Sequence, residues 1–215
     1  MNKLLYVIVA LVAFAVGTLG FYKSFYLAQP EHALYYKQAR TLLPFQLTDH
    51  HGNAFTNKNL QGKWSWVFFG YTSCPDVCPT TLQELNFIYP ALSSIAPNQV
   101  LLVSVDPQRD SQEKLAQYIA YFNKDFIALR AGHDVLYPFS RNMGLMYAIV
   151  DGDNENNEHQ HESYLVDHSA SIVLINPQGK IAAIFKPEQE IGQVPSIDGE
   201  KLVNDFEKIV RLNNK

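Results

Sequence analysis

The first pattern along the chain is an uninterrupted one. Leu4 to Tyr22, LLYVIVALVAFAVGTLGFY, carries no charge and leaves no polar face on a helix. At 1.5 Å per residue it reaches roughly 28 Å, about one hydrocarbon core. This predicts a transmembrane anchor over 4–22 after a short cytoplasmic segment, 1–3. A cleaved signal peptide is the alternative, but the run exceeds a typical apolar region. Cleavage after Ala28 would put Tyr26 where a small residue is wanted, and Thr18-Leu19-Gly20 is marginal. Lys3 and the amino terminus precede the run and Lys23 follows it, a weak charge bias that favours N-in, C-out. Residues 23–43 have few apolar anchors and read as a linker with some helical character. The folded domain, 44–215, is expected to start near Pro44.

Beyond Pro44 the period changes repeatedly. Phe45 to Asp49 alternates, His50-His51-Gly52-Asn53 has turn chemistry, and Ala54-Phe55-Thr56 returns, which predicts a hairpin. Trp64 to Phe69 and Val100 to Val105 are apolar on both faces, interrupted only by Ser65 and Ser104, as strands of a parallel sheet covered on both sides are. Helical spacing follows each, over Thr81 to Leu92 and Ser111 to Phe122, the second after the turn Asp106 to Asp110. A short strand is expected at Phe126 to Leu129, a helix at Asp134 to Met143 and a strand at Met146 to Val150. Strands at Ser171 to Ile175 and Lys180 to Phe185 flank the turn Asn176 to Gly179, and an amphipathic helix spans Ile197 to Leu212. Strands alternating with helices and closing on a hairpin predict an α/β sheet of the thioredoxin type. Asp151 to Ser163, DGDNENNEHQHES, is too polar to support a core and is read as a solvated loop.

Composition adds boundaries rather than direction. The chain has 215 residues, 47% of them hydrophobic, and a formal net charge of −4. That suffices for one domain and a tail, and no basic stripe points to nucleic acid. Two cysteines exclude a disulfide scaffold.

Those two, Cys74 and Cys78, lie together in FFGYTSCPDVCPTT, between a buried strand and a helix. A helix N-terminus favours thiolate over thiol, and Pro79 suits a first turn, where a missing N–H is harmless. A disulfide closing so short a loop would remove little unfolded-state entropy. Redox chemistry or a metal remains. Two cysteines do not fill a zinc site, whereas two thiolates with one imidazole suit copper(I) at low coordination number. Among seven histidines His168 has the best position, between Asp167 and Ser169 and just before an apolar strand whose start should lie beside the cysteine turn. A satisfied surface or core histidine is the competing reading. His50 and His51, adjacent in a turn, read as solvated, and His159 and His161 as part of the mobile polar loop.

FQLTDHHGNAFT (45–56), GKWSWVFFGYTSCPDVCPTTLQEL (62–85), SVDPQRD (104–110) and YLVDHSASIVLINPQGKI (164–181) resemble, in order, the segments of the Sco/SenC family of membrane-anchored copper chaperones. The resemblance implies a thioredoxin-like fold with an inserted β-hairpin. It implies one copper ion, as copper(I) or copper(II), held by Cys74, Cys78 and His168, and a role in assembling the dinuclear copper site of cytochrome c oxidase. Partners would be the oxidase's copper-site subunit and a periplasmic copper donor or thiol reductase. The domain would then lie on the non-cytoplasmic side, in a bacterial periplasm. Asp76 and Asp106 match acidic positions of the pattern. Ser111-Gln112 stands where Thr-Pro is expected, a departure that affects a cap more than the site. Asp167 would orient His168 by accepting from its other ring nitrogen.

A thiol–disulfide oxidoreductase acting on the oxidase's copper-site cysteines is the rival function. It needs Cys74 and Cys78 and should tolerate loss of His168. Three residues between the cysteines, not two, and the lack of any proline between Pro138 and Pro177 count against it. A peroxidase or redox sensor would need an activated cysteine with a peroxide-positioning group. Thr72 stands near Cys74, but the rest of that pattern is absent.

Overall fold

The computed structural model describes residues 3–25, 29–150, 165–168, 170–189 and 192–213, with 23–25, Leu165, Asp167 and His168 described by their backbone alone. The polar loop with His159 and His161 lies outside the described residues. In order the elements are α1 (Lys3–Phe25), β1 (Ala33–Thr41), β2 (Gln46–Asp49), β3 (Ala54–Thr56), β4 (Trp64–Gly70), α2 (Val77–Ile95), β5 (Asn98–Ser104) and α3 (Gln112–Phe122). They continue with β6 (Ile127–Arg130), α4 (His133–Met143), β7 (Tyr147–Val150), β8 (Leu165–His168), β9 (Ile172–Ile175), β10 (Lys180–Phe185) and α5 (Gly199–Asn213).

Eight strands form one sheet in the order β1-β10-β9-β4-β5-β6-β2-β3. β4, β5 and β6 are parallel, and β9 returns antiparallel to β4, with Phe68 opposite Ile172. Every residue of β4 and β9 is buried, the physical reason both are apolar on each face, and the one polar side chain of β4, Ser65, accepts from Gln99 at 2.8 Å. Helices cover both faces. Phe206 of α5 packs on Trp64 and Trp66 at 5.5 and 4.9 Å between ring centres, while Phe139 of α4 meets Phe69 from the other side at 5.9 Å. Asn123 at the end of α3 donates to Asn86 of α2, joining those helices on the α5 face. This is a thioredoxin-like α/β fold. Between α4 and β9 it carries an inserted two-stranded ladder, β7 with β8, apart from the main sheet.

Two expectations change. The stretch expected as a linker, 23–43, contains β1, which pairs antiparallel with β10 at the edge of the sheet. An edge strand is covered on one side only, so its sequence, ALYYKQART, mixes polar and apolar positions and hides its period. His50, expected to be solvated, is buried: its Nδ1 accepts from the Ala128 N–H at 3.1 Å, and burial pushes its pKa down. His51 is exposed as expected. Helix α1 is long and apolar enough to cross a membrane by length and composition, and its apolar side chains from Leu4 to Tyr22 are exposed.

A buried carboxylate fastens the segment after α1 to the domain. Asp205 of α5 accepts backbone hydrogen bonds from Glu31, His32 and Ala33 at 3.0, 2.6 and 2.9 Å, and Lys208 bridges Glu31 and Asp205. Burial pushes this carboxyl up, but the three N–H groups and Lys208 together hold it below its ordinary value. At the other end of the fold, Gly70 closes β4 under the cysteine helix. A Cβ there would come within 2.9 Å of the Cys78 sulfur and 3.0 Å of the Phe68 ring.

Asp205→Ala is expected to cost about 2–3 kcal/mol at neutral pH in a urea titration. Because the folded carboxyl has a lowered pKa, that contribution is present above the ordinary carboxylate range. It fades as the pH falls below about 4, so the gap between variant and wild type should narrow there. Gly70→Ala should lower stability by about 1–3 kcal/mol through overpacking against Cys78, a loss absent if the midpoint is unchanged.

Candidate metal centre

Helix α2 starts earlier than its apolar period suggests, at Val77, so Cys78 lies in its first turn and Cys74 in the loop just before it. Asp76 is the N-cap residue; its exposed side chain makes no capping bond, and its carbonyl accepts from Thr80 instead. Pro79 falls among the first four residues, whose N–H groups have no helical partner. Cys74 is half-buried and Cys78 fully buried, both as thiols.

The sulfurs lie within hydrogen-bonding reach of one another. Burial above all, then the hydrogen bond and charge of Cys74, push the Cys78 thiol far up, against a smaller downward pull from the Tyr71 backbone. The thiolate expected at this helix terminus is therefore not favoured at Cys78: loss of water outweighs the helix dipole. A metal ion's charge reverses that balance, since a coordinating thiol gives up its proton.

The loop that carries Cys74 is held by residues far away in sequence. Asp110, with no exposed surface, accepts from the Thr72 N–H at 3.1 Å, from the Thr72 hydroxyl, and from the Ser104 hydroxyl at 2.6 Å. It thus joins the end of β5, the approach to α3 and the loop two residues before Cys74. Lys114 in α3 donates to Ser73 at 3.2 Å and stands 4.0 Å from Asp110. Asp106, also buried, pairs with Arg109, whose guanidinium lies over the Tyr71 ring at 5.7 Å. Asp106 was legible as an acidic position of the SVDPQRD segment. The role of Asp110 was not singled out, although a second carboxylate four residues after a buried one is the available signal.

His168 is the last residue of β8, and its backbone is in register with Tyr147. Two connections bring that strand to the cysteine loop. The Val166 N–H points to the Tyr71 hydroxyl at 3.5 Å, and Ile172, four residues past His168, pairs with Phe68 of β4. The ladder is fastened to α4 in turn: Tyr147 stacks on Tyr137 at 4.7 Å and its hydroxyl meets His133 Nδ1 at 2.8 Å. The His168 and Asp167 side chains lie outside the described residues. Among the described side chains no third histidine, cysteine or carboxylate joins the two cysteines into a cluster of three donors.

Comparison with known proteins follows the same segments. The family model described as SCO1/SenC matches residues 35–197. An SCO2-like protein of Rickettsia prowazekii is 34% identical over 66% of this chain and 67% of its own length. A putative copper-binding protein of Stutzerimonas stutzeri is 31% identical over 66% of this chain and 67% of its own length. The human mitochondrial SCO1 homologue is 31% identical over 70% of this chain but 49% of its own length, and the Schizosaccharomyces pombe sco1 protein is matched over 53% of its length. The chain thus spans about half of those two relatives. Among solved structures, Arabidopsis thaliana ScoI with copper bound superposes with a TM-score of 0.66 at 27% identity, over 79% of this chain and 97% of that one. Yeast Sco1 with copper bound gives 0.66 at 29%, over 80% and 89%. With the family model matched over residues 35–197, most of the sequence, the chain belongs to the SCO1/SenC family.

Proposed function

We propose that this protein is a copper metallochaperone. It holds one copper ion through Cys74, Cys78 and His168 and helps assemble the dinuclear copper site of cytochrome c oxidase. The observation that carries the reading is the sulfur pair. Its members are the chain's entire cysteine complement, lie within hydrogen-bonding reach, and sit at the end of a strand next to β9, in whose approach His168 stands. The relative named as copper-binding and the copper-bound family structures support copper as the ion.

The ligand chemistry supports it further. Two thiolates and a neutral imidazole carry a net charge of −1, which neutralises copper(I) and leaves copper(II) with one positive charge. Soft sulfur favours copper(I). Three protein ligands leave the ion open to an acceptor's ligands, as delivery requires, whereas a closed four-ligand site would trap it. Loading displaces the proton that burial keeps on Cys78, so affinity rises with pH. Asp167, next in sequence, orients the imidazole of His168 through its second ring nitrogen. The apolar helix α1 anchors the protein, with the domain on the non-cytoplasmic side, a bacterial periplasm, facing the oxidase's copper-site subunit and a copper donor or thiol reductase.

Thiol–disulfide exchange on the oxidase's copper-site cysteines is the second reading. In that reading the more exposed Cys74 attacks and Cys78 resolves the mixed disulfide, a second step that the burial raising the Cys78 pKa slows.

The full chain in detergent, reduced, loaded anaerobically with copper(I) and desalted, should retain one copper. His168→Ala, Cys74→Ser and Cys78→Ser should each bind at least tenfold more weakly. Equal retention in His168→Ala, together with an active dithiol couple, would transfer the function to the oxidoreductase. Asp167→Ala should weaken copper binding about 10–100-fold. Unchanged affinity and spectrum would remove its orienting role.

A further inference from the structure

Helix α4 presents one histidine to the inserted ladder, and a single tyrosine receives it. A two-stranded ladder that stands apart from the main sheet has little stability of its own, so its place is set by what it packs on. Of the four residues of β7 only Tyr147 is buried; Ala148, Ile149 and Val150 are exposed. The Tyr147 ring lies flat on Tyr137 of α4, with ring centres 4.7 Å apart and 4° between the planes. His133 stands one turn before Tyr137 on the same side of the helix. It stacks on Tyr137 as well, at 5.5 Å, and its Nδ1 meets the Tyr147 hydroxyl at 2.8 Å. Burial, then Tyr137, push the Tyr147 phenol up, so it stays neutral and can bond either form of the imidazole. Across the ladder, Tyr147 is the residue directly paired with His168. The one residue that fastens β7 to α4 therefore also sets where the main chain of His168 lies. The tie of β8 itself to the cysteine turn, from the Val166 N–H to the Tyr71 hydroxyl, is weaker, at 3.5 Å.

We propose that His133 and Tyr147 are positioning residues for the third copper ligand: their hydrogen bond fixes β7 on α4, and the pairing of Tyr147 with His168 passes that position to the ligand's main chain. This rests on the reading of His168 as a copper ligand. Both residues act through His168 alone. Releasing them leaves the two sulfurs in place and lets the third ligand move away, so copper is held more loosely.

The test uses the full chain in detergent. Wild type, Tyr147→Phe and His133→Ala are each prepared with His168 intact and in a His168→Ala background. Copper(I) affinity is read anaerobically by competition with a chromophoric chelator. With His168 intact, each variant should still bind one copper but about tenfold more weakly, the low end for residues that orient a ligand. In the His168→Ala background the same substitutions should cause no further loss, because the group they position is gone. Tyr147→Phe keeps the ring on Tyr137 and removes only the hydroxyl, so it decides the matter if His133→Ala lowers stability. An equal loss in both backgrounds would assign the pair a purely structural role and overturn the inference. Wild-type affinity in both variants, with His168→Ala still binding weakly, overturns this inference alone. If His168→Ala itself binds as tightly as wild type, the ligand reading fails and this inference with it.

Discussion

Asp110 has no surface in water, so its charge must be met by the protein, and the groups that meet it come from three places. Thr72 brings the cysteine loop, Ser104 the end of β5, and Lys114 the first turn of α3. A carboxylate that accepts several hydrogen bonds inside a protein is costly to disturb, because each donor loses its partner along with the charge. The position of Cys74 is in that sense set from the far side of the loop.

The pair itself is shaped by burial. Gly70 leaves no side chain between β4 and Cys78, so the sulfur packs tightly and stays protonated. A reactive redox cysteine is the opposite case, exposed and with a lowered pKa. A thiol so placed gives up its proton only to a strong positive charge, such as a coordinating metal would supply.

At the opposite end of the chain, Asp205 receives three successive backbone N–H groups that follow the apolar helix closely. The same device is used twice: a buried carboxylate fixes a stretch of main chain with no strong fold of its own. After α1 it recruits β1 to the sheet; beside β4 it holds the cysteine loop.

What could be read from the amino-acid order was whatever is written locally. The apolar runs of β4 and β9 announce strands covered on both faces, the helical spacing of α3 and α5 announces their buried sides, and the two cysteines declare themselves by rarity and spacing. His168 was distinguished by the family resemblance more than by its surroundings. The half-covered β1, the burial of His50 and of the Cys78 thiol, and the place of Asp110 were not legible, since each depends on residues distant in the chain. The sequence by itself determined the fold class and the candidate donors, because period and residue chemistry are local properties. Only the tertiary structure decided which groups lose water and which partners they meet, because burial and hydrogen bonding belong to neighbours that folding alone brings together.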